Sequence, residues 1–221
     1  MVEKKITVLG LGYIGLPTAI VLANAGHEVK GYDPKEEVIE TLNSGKIHIV
    51  ENNLQEAFEK VVKTGKFKAY SEVQTADVYI ICVPTPFKKS NSDEKIADLT
   101  YVENAASIVA TVIKEGDLVI LESTVPPLTT KLVTDIIEKK SGISREKFHS
   151  VHCPERVLPG RILYEFEHND RIMGSENPKS AELAKELYSS FVKEGTCYIT
   201  DDITAEMCKL VENTFRDVNI V

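Results

Sequence analysis

The chain has 221 residues, enough for one large domain or for a domain of about 150 residues with part of a second. Apolar residues make up 43% and charged residues 27%, an ordinary globular balance, and no run approaches the roughly 18 apolar residues that a membrane-spanning helix needs. A formal net charge of −8 argues against a nucleic-acid partner, which calls for clustered cations, but leaves a nucleotide ligand open, because helix amides can hold a pyrophosphate.

Residues 1–5 (MVEKK) lead directly into a β-branched segment at 6–9, so no secretory leader is expected. Helical spacing follows at 14–25, a strand at 28–32, and amphipathic helices at 35–44 and 54–64. An apolar strand at 78–83 precedes a polar, lysine-containing stretch at 87–98, which reads as a mobile binding loop. Beyond it lie a helix at 101–114, a strand at 118–122, a helix at 129–140, strands at 149–152 and 171–174, a helix at 179–192 and a strand at 197–200. Val- and Ile-rich strands alternating with helices predict an α/β fold, a doubly wound parallel sheet covered on both faces. The last helix, 205–221, has no closing Gly, Asn or Pro, and suggests a piece of a longer protein. Cys82, Cys153, Cys197 and Cys208 form no CxxC pair and have no His at zinc spacing. Free thiols, no metal and a cytoplasmic protein are expected.

The segment 10–15, Gly-Leu-Gly-Tyr-Ile-Gly, is a GxGxxG motif placed after the first strand and opening the first helix. Gly10 permits the tight turn, Gly12 lets the backbone approach a pyrophosphate, and Gly15 lets helix and strand pack closely. Asp33 ends the second strand, where a carboxylate accepts from the adenosine ribose hydroxyls and repels a 2′-phosphate, favouring NAD over NADP. Thr85 (in Pro-Thr-Pro) and Thr124 (in Ser-Thr-Val-Pro-Pro) follow two further strands, either to meet the cofactor or simply to end those strands.

Residues 153–160 (CPERVLPG) follow the strand at 149–152. Glu155 could act as a base or position water, and Arg156 could pair with an anionic substrate; taken alone, the stretch reads first as a surface loop with an exposed Glu–Arg pair. On the last helix Lys209, Asn213 and Arg216 recur at spacings of four and three and share one face, either a solvated face or donors for a developing oxyanion.

Together these motifs resemble the UDP-glucose/GDP-mannose dehydrogenase family, closest to its UDP-N-acetylmannosamine branch. The residues carrying the likeness are 10–17 (GLGYIGLP), 47–51 (IHIVE), 83–88 (VPTPFK), 122–124 (EST), 153–160 (CPERVLPG), 169–171 (NDR) and 205–220 (AEMCKLVENTFRDVNI). The resemblance implies an NAD-binding Rossmann domain over 1–200 and, over 201–221, the start of a central helical domain through which such enzymes form homo-oligomers. It implies that Tyr13, Ile14, Asp33, Thr85 and Thr124 contact the cofactor. It implies that Arg156, Val157, Lys209, Asn213 and Arg216 contact the UDP-sugar, with Lys209 also an acid/base. Such enzymes oxidise a primary alcohol to a carboxylate with two NAD, through a thioester on a cysteine that none of the four here matches. Pro159 stands where the glucose-specific branch has a second Glu, leaving Glu155 the one carboxylate of that loop. Two other readings remain: a two-electron β-hydroxyacid dehydrogenase, and a non-catalytic NAD-binding module.

Overall fold

Short β-branched strands and amphipathic helices alternate along residues 2–88 and 95–220, the part described by the computed structural model. The elements are β1 (Lys5–Leu9), α1 (Gly15–Asn24), β2 (Glu28–Tyr32), α2 (Glu36–Asn43), α3 (Leu54–Thr64), β3 (Phe67–Tyr70), β4 (Val78–Ile81), α4 (Thr100–Val109), β5 (Leu118–Leu121), α5 (Thr129–Ser141), β6 (His149–His152), α6 (Ile162–His168), β7 (Arg171–Gly174), α7 (Pro178–Tyr188), β8 (Cys197–Thr200) and α8 (Asp202–Ile220). No helix among the described residues is long and apolar enough to cross a membrane.

One eight-stranded sheet has the order β3-β2-β1-β4-β5-β6-β7-β8, with β1 to β6 all parallel. The winding direction reverses between β1 and β4, opening a crevice at the carboxyl ends of these strands. β4 and β5 are buried along their whole length because helices cover both faces. On one face Ile6, Val8, Ile80, Ile120 and Val151 pack with Leu16, Ile20, Phe58 and Phe166. On the other, Leu9, Tyr79, Ile81, Val119 and Leu121 meet Val102, Val109, Val133 and Ile137.

The expected doubly wound sheet is present, but it is not parallel throughout. β7 runs antiparallel to β6 and meets it at His152–Gly174. The seven-residue α6 is too short to carry the chain back across the sheet, so the next strand returns from the carboxyl side. Continuing that register three residues outward sets Arg171 opposite Glu155, beyond the end of β6. β3 and α6 were not anticipated from the sequence, and the helix expected over 101–114 gives way to turns after Val109. The expected loop at 87–98 starts and finishes as a clip, in which the Lys88 N–H donates to the Ile96 carbonyl at 2.8 Å and the Asp98 N–H to that of Pro86 at 2.7 Å. Residues 89–94 of that expected loop lie outside the described residues.

α8 docks against β6 and β7 through an unusual face: Ala205, Glu206 and Lys209 are buried, whereas Ile203, Met207, Val211, Phe215, Val218 and Ile220 are exposed. Glu206 holds it in place by accepting from the Leu128 and Thr130 N–H groups, both at 2.7 Å, and from the Thr130 hydroxyl at 2.6 Å. These donors belong to the N-terminus of α5, where a buried carboxylate is favoured by the helix dipole.

Candidate functional site

Between β1 and α1 the chain turns so tightly that side chains are excluded at two places. Gly10 has φ +89°, and a Cβ there would lie 2.6 Å from the Cys82 carbonyl oxygen; a Cβ at Gly15 would lie 1.8 Å from that of Gly10. Above Gly12, in contrast, the space is open, with nothing within 4 Å of where a Cβ would sit. The amides of Gly12, Tyr13 and Ile14 have no hydrogen-bond acceptor among the described residues. Free N–H groups and the positive end of α1 under open space make a cradle for a pyrophosphate. Asp33 is fixed beside it, Oδ2 accepting from the Leu11 N–H and Oδ1 from the Lys35 N–H, each at 3.0 Å. Each oxygen keeps acceptor capacity for ribose hydroxyls. These residues fit a dinucleotide.

A crevice of about 230 Å³ lies beyond the carboxyl ends of β4 and β5, lined by Ile14, Thr85, Thr124, Glu155, Val157 and Lys209. The Thr85 hydroxyl donates to the Thr124 carbonyl at 2.7 Å, which stitches the two strand ends together. Lys209 is only 8% exposed. Burial, then Arg216, push its pKa down, while Glu155 and Glu212 pull the other way.

Beneath the crevice is a buried polar cluster. Glu122 accepts from the Thr18 hydroxyl at 2.8 Å, the Cys82 thiol at 2.9 Å and the Tyr188 hydroxyl at 2.8 Å. Glu155 and Arg171, 4% and 1% exposed, form an ion pair at 2.5 Å. The Arg171 guanidinium also lies 4.7 Å from the Phe166 ring and 5.5 Å from that of Tyr188. Burial, then the Glu155 charge, push the Glu122 carboxyl up, with Arg171 opposing. Burial also pushes up the thiols of Cys82, Cys153 and Cys197, which disfavours the nucleophilic thiolate.

The Glu–Arg pair of residues 153–160 is not the exposed surface pair that the sequence suggests. Glu155 is buried and pairs with Arg171, while its other oxygen accepts from the Arg156 N–H at 2.6 Å. The Arg156 side chain turns instead to α8, where its Nε donates to Glu212 Oε2 at 2.7 Å. From the α8 set only Lys209 lines the crevice; Asn213 and Arg216 bond each other at 3.1 Å outside its lining. Tyr188 was missed in the sequence, and Glu122 and Arg171 stood only within the EST and NDR motifs, without a role, although a carboxylate ending an apolar strand (LVILE) and an arginine opening another (RIMG) were signals of buried charge.

Comparison with known proteins bears on this geometry. A model described as the NAD binding domain of the UDP-glucose/GDP-mannose dehydrogenase family matches residues 4–192. The chain belongs to the UDP-glucose/GDP-mannose dehydrogenase family. NAD is the cofactor of the matched domain. The chain is 48% identical over 217 residues to a UDP-N-acetyl-D-mannosamine dehydrogenase of Methanococcus maripaludis, covering 98% of this chain and 49% of that protein. It is 47% identical to an NDP-N-acetyl-D-galactosaminuronic acid dehydrogenase of Ralstonia nicotianae, covering 98% and 52%. A solved UDP-D-ManNAc dehydrogenase from Pyrococcus horikoshii superimposes with a TM-score of 0.92 at 47% identity, covering 98% and 51%. The chain thus spans about half the length of these relatives.

Proposed function

We propose that this chain is the NAD-binding portion of an enzyme that oxidises the primary alcohol of UDP-N-acetylmannosamine to the uronate, a four-electron reaction using two NAD. The observation that carries this is the meeting of a buried lysine, Lys209, with Thr85, Thr124 and Glu155 in one crevice beside the dinucleotide turn. An N-acetylated sugar is common to the names of both relatives. Membership of the family over residues 4–192 favours this reading over a two-electron hydroxyacid dehydrogenase or a non-catalytic module.

In this reading residues 1–200 form the NAD-binding domain and 201–221 begin a central helical domain. The exposed apolar stripe of α8 supports a homodimer formed through that helix. Four unpaired cysteines suit a reducing, cytoplasmic setting, and a nucleotide-linked uronate suits polysaccharide synthesis.

The Gly12, Tyr13 and Ile14 amides hold the pyrophosphate, and Asp33 accepts from the adenosine ribose. Thr85 and Thr124 flank the reacting end. The cofactor, when bound, supplies the hydride acceptor. Lys209, its ammonium weakened by burial, takes the proton of the sugar hydroxyl when neutral and donates to the oxyanion when charged. Asn213, one turn beyond Lys209 on α8 and outside the crevice lining, adds a second donor by turning its amide toward the sugar. Glu155, held by Arg171, lies with Lys209 in the crevice and opposes the loss of the lysine's charge. Val157 and Arg216 meet the sugar nucleotide, and Arg156 reaches a phosphate by leaving Glu212.

The family resemblance calls for a cysteine nucleophile in the second oxidation, and the raised thiols of Cys82, Cys153 and Cys197 do not suit that task. Cys208 does not line the crevice, so the chain alone should bind NAD in titration calorimetry and not carry UDP-N-acetylmannosamine through the second oxidation, NADH staying below two per sugar. Sustained NADH formation, two per sugar, would show that this chain holds its own nucleophile.

A further inference from the structure

Tyr13 lies in the dinucleotide turn, and Gly160 closes the loop that carries Glu155, Arg156 and Val157. One carboxylate oxygen joins them. Glu51 Oε1 accepts from the Tyr13 hydroxyl and, at 2.6 Å, from the Gly160 N–H. Asn52 grips the same glycine a second time, its Nδ2 donating to the Gly160 carbonyl at 2.9 Å. Gly160 has φ +89°, so its backbone reaches residues 51–52 with both polar groups in a conformation that a side chain would strain.

The link is held in its bonding protonation state. Burial pushes the Glu51 carboxyl up, but hydrogen bonds from the Tyr13 hydroxyl and from the Gly160, Ile162 and Asn52 main chain together bring the pKa below its ordinary value. Burial, then Glu51, push the Tyr13 phenol up to about 12. A carboxylate acceptor and a neutral phenol donor therefore face each other throughout the neutral range, the arrangement that makes a charge-assisted hydrogen bond strong.

We propose that Glu51 is a positioning residue that couples the dinucleotide turn to the 153–160 loop, so that NAD bound at the turn orders the loop that receives the sugar nucleotide. A pyrophosphate on the Tyr13 amide fixes the backbone that carries the phenol; the phenol fixes Glu51, and Glu51 fixes Gly160. By linkage, a sugar nucleotide that orders the loop tightens NAD by the same factor. The sugar-nucleotide role of the loop rests on the function proposed above, whereas the coupling itself can be read with NAD alone.

The test is amide hydrogen exchange over residues 156–162 of the 221-residue chain, with and without saturating NAD, alongside calorimetric NAD affinities. Wild type should show slower exchange there when NAD is bound. Tyr13→Phe, which loses one hydrogen bond of the link, should keep binding NAD about 3- to 10-fold more weakly, Glu51→Ala, which loses two, should bind at least as weakly, and both should lose that slowing. Glu51→Gln, whose amide oxygen can accept from the same two donors, should retain it, a rescue that loss of general structural support would not give. Equal NAD-induced slowing in wild type, Tyr13→Phe and Glu51→Ala overturns the coupling and leaves the cofactor assignment standing. Failure of the wild-type chain to bind NAD overturns both.

Discussion

Replacing His152 by phenylalanine should remove a defined part of the protein's sensitivity to acid. His152 ends β6, is fully buried, and neither ring nitrogen reaches hydrogen-bond geometry with any partner among the described residues. Burial pushes its pKa down to about 3, the Leu121 main chain offsetting only part of the effect. The unfolded chain titrates this group near about 6.5. Between these values the unfolded state binds the proton and the folded state does not, so stability is complete above the unfolded pKa and is lost as pH falls toward the folded one. Integration from pH 7 to pH 5 gives a loss of about 2 kcal/mol from this group alone. His27 and His149, also pushed down by burial, remain in both proteins and cancel in the comparison. Urea titrations followed by circular dichroism at pH 7 and pH 5 measure the difference. Wild type should lose about 2 kcal/mol more than His152→Phe over that interval. Equal losses would mean that His152 is protonated in the folded protein, and the argument from burial would be wrong.

Arg171→Met should destabilise the protein by about 3–5 kcal/mol in urea, because Glu155 and Glu122 are left in a buried site without their cation. Arg171→Met combined with Glu155→Leu should recover most of that loss, and a single variant within about 1 kcal/mol of wild type would show that the pair is not electrostatically isolated. Asp33→Ala should reduce the preference for NAD over NADP by about 10- to 100-fold, since it removes charge-assisted hydrogen bonds to the ribose and the repulsion of a 2′-phosphate. An unchanged ratio of the two calorimetric affinities would refute that role.

The dinucleotide cradle was legible because its parts are close in sequence. Gly10, Gly12, Gly15 and Asp33 lie within one strand–helix–strand unit, where local turn chemistry and strand pairing set the geometry. The four-residue β3 (FKAY) and the seven-residue α6 are too brief to stand out by periodicity. α8 shows how pattern and burial can part. Its apolar residues mark the side that a helix normally hides, yet those side chains are exposed while Glu206 and Lys209 are buried. The capping of α5 by Glu206 holds the helix on that face.

By itself, the sequence determined the alternation of strand and helix, the nucleotide-binding turn and the position of its acidic partner, because backbone sterics and hydrophobic period act over a few residues. Tertiary structure decided the electrostatics. Whether Glu155 would face water or Arg171 depended on the reversal of β7 and on a register set at His152–Gly174. Glu51 likewise joined Tyr13 to Gly160 only once α3 and the 153–160 loop had packed around the first helix. Charges find their partners across the fold, and the energy of each pair depends on burial that no local pattern contains.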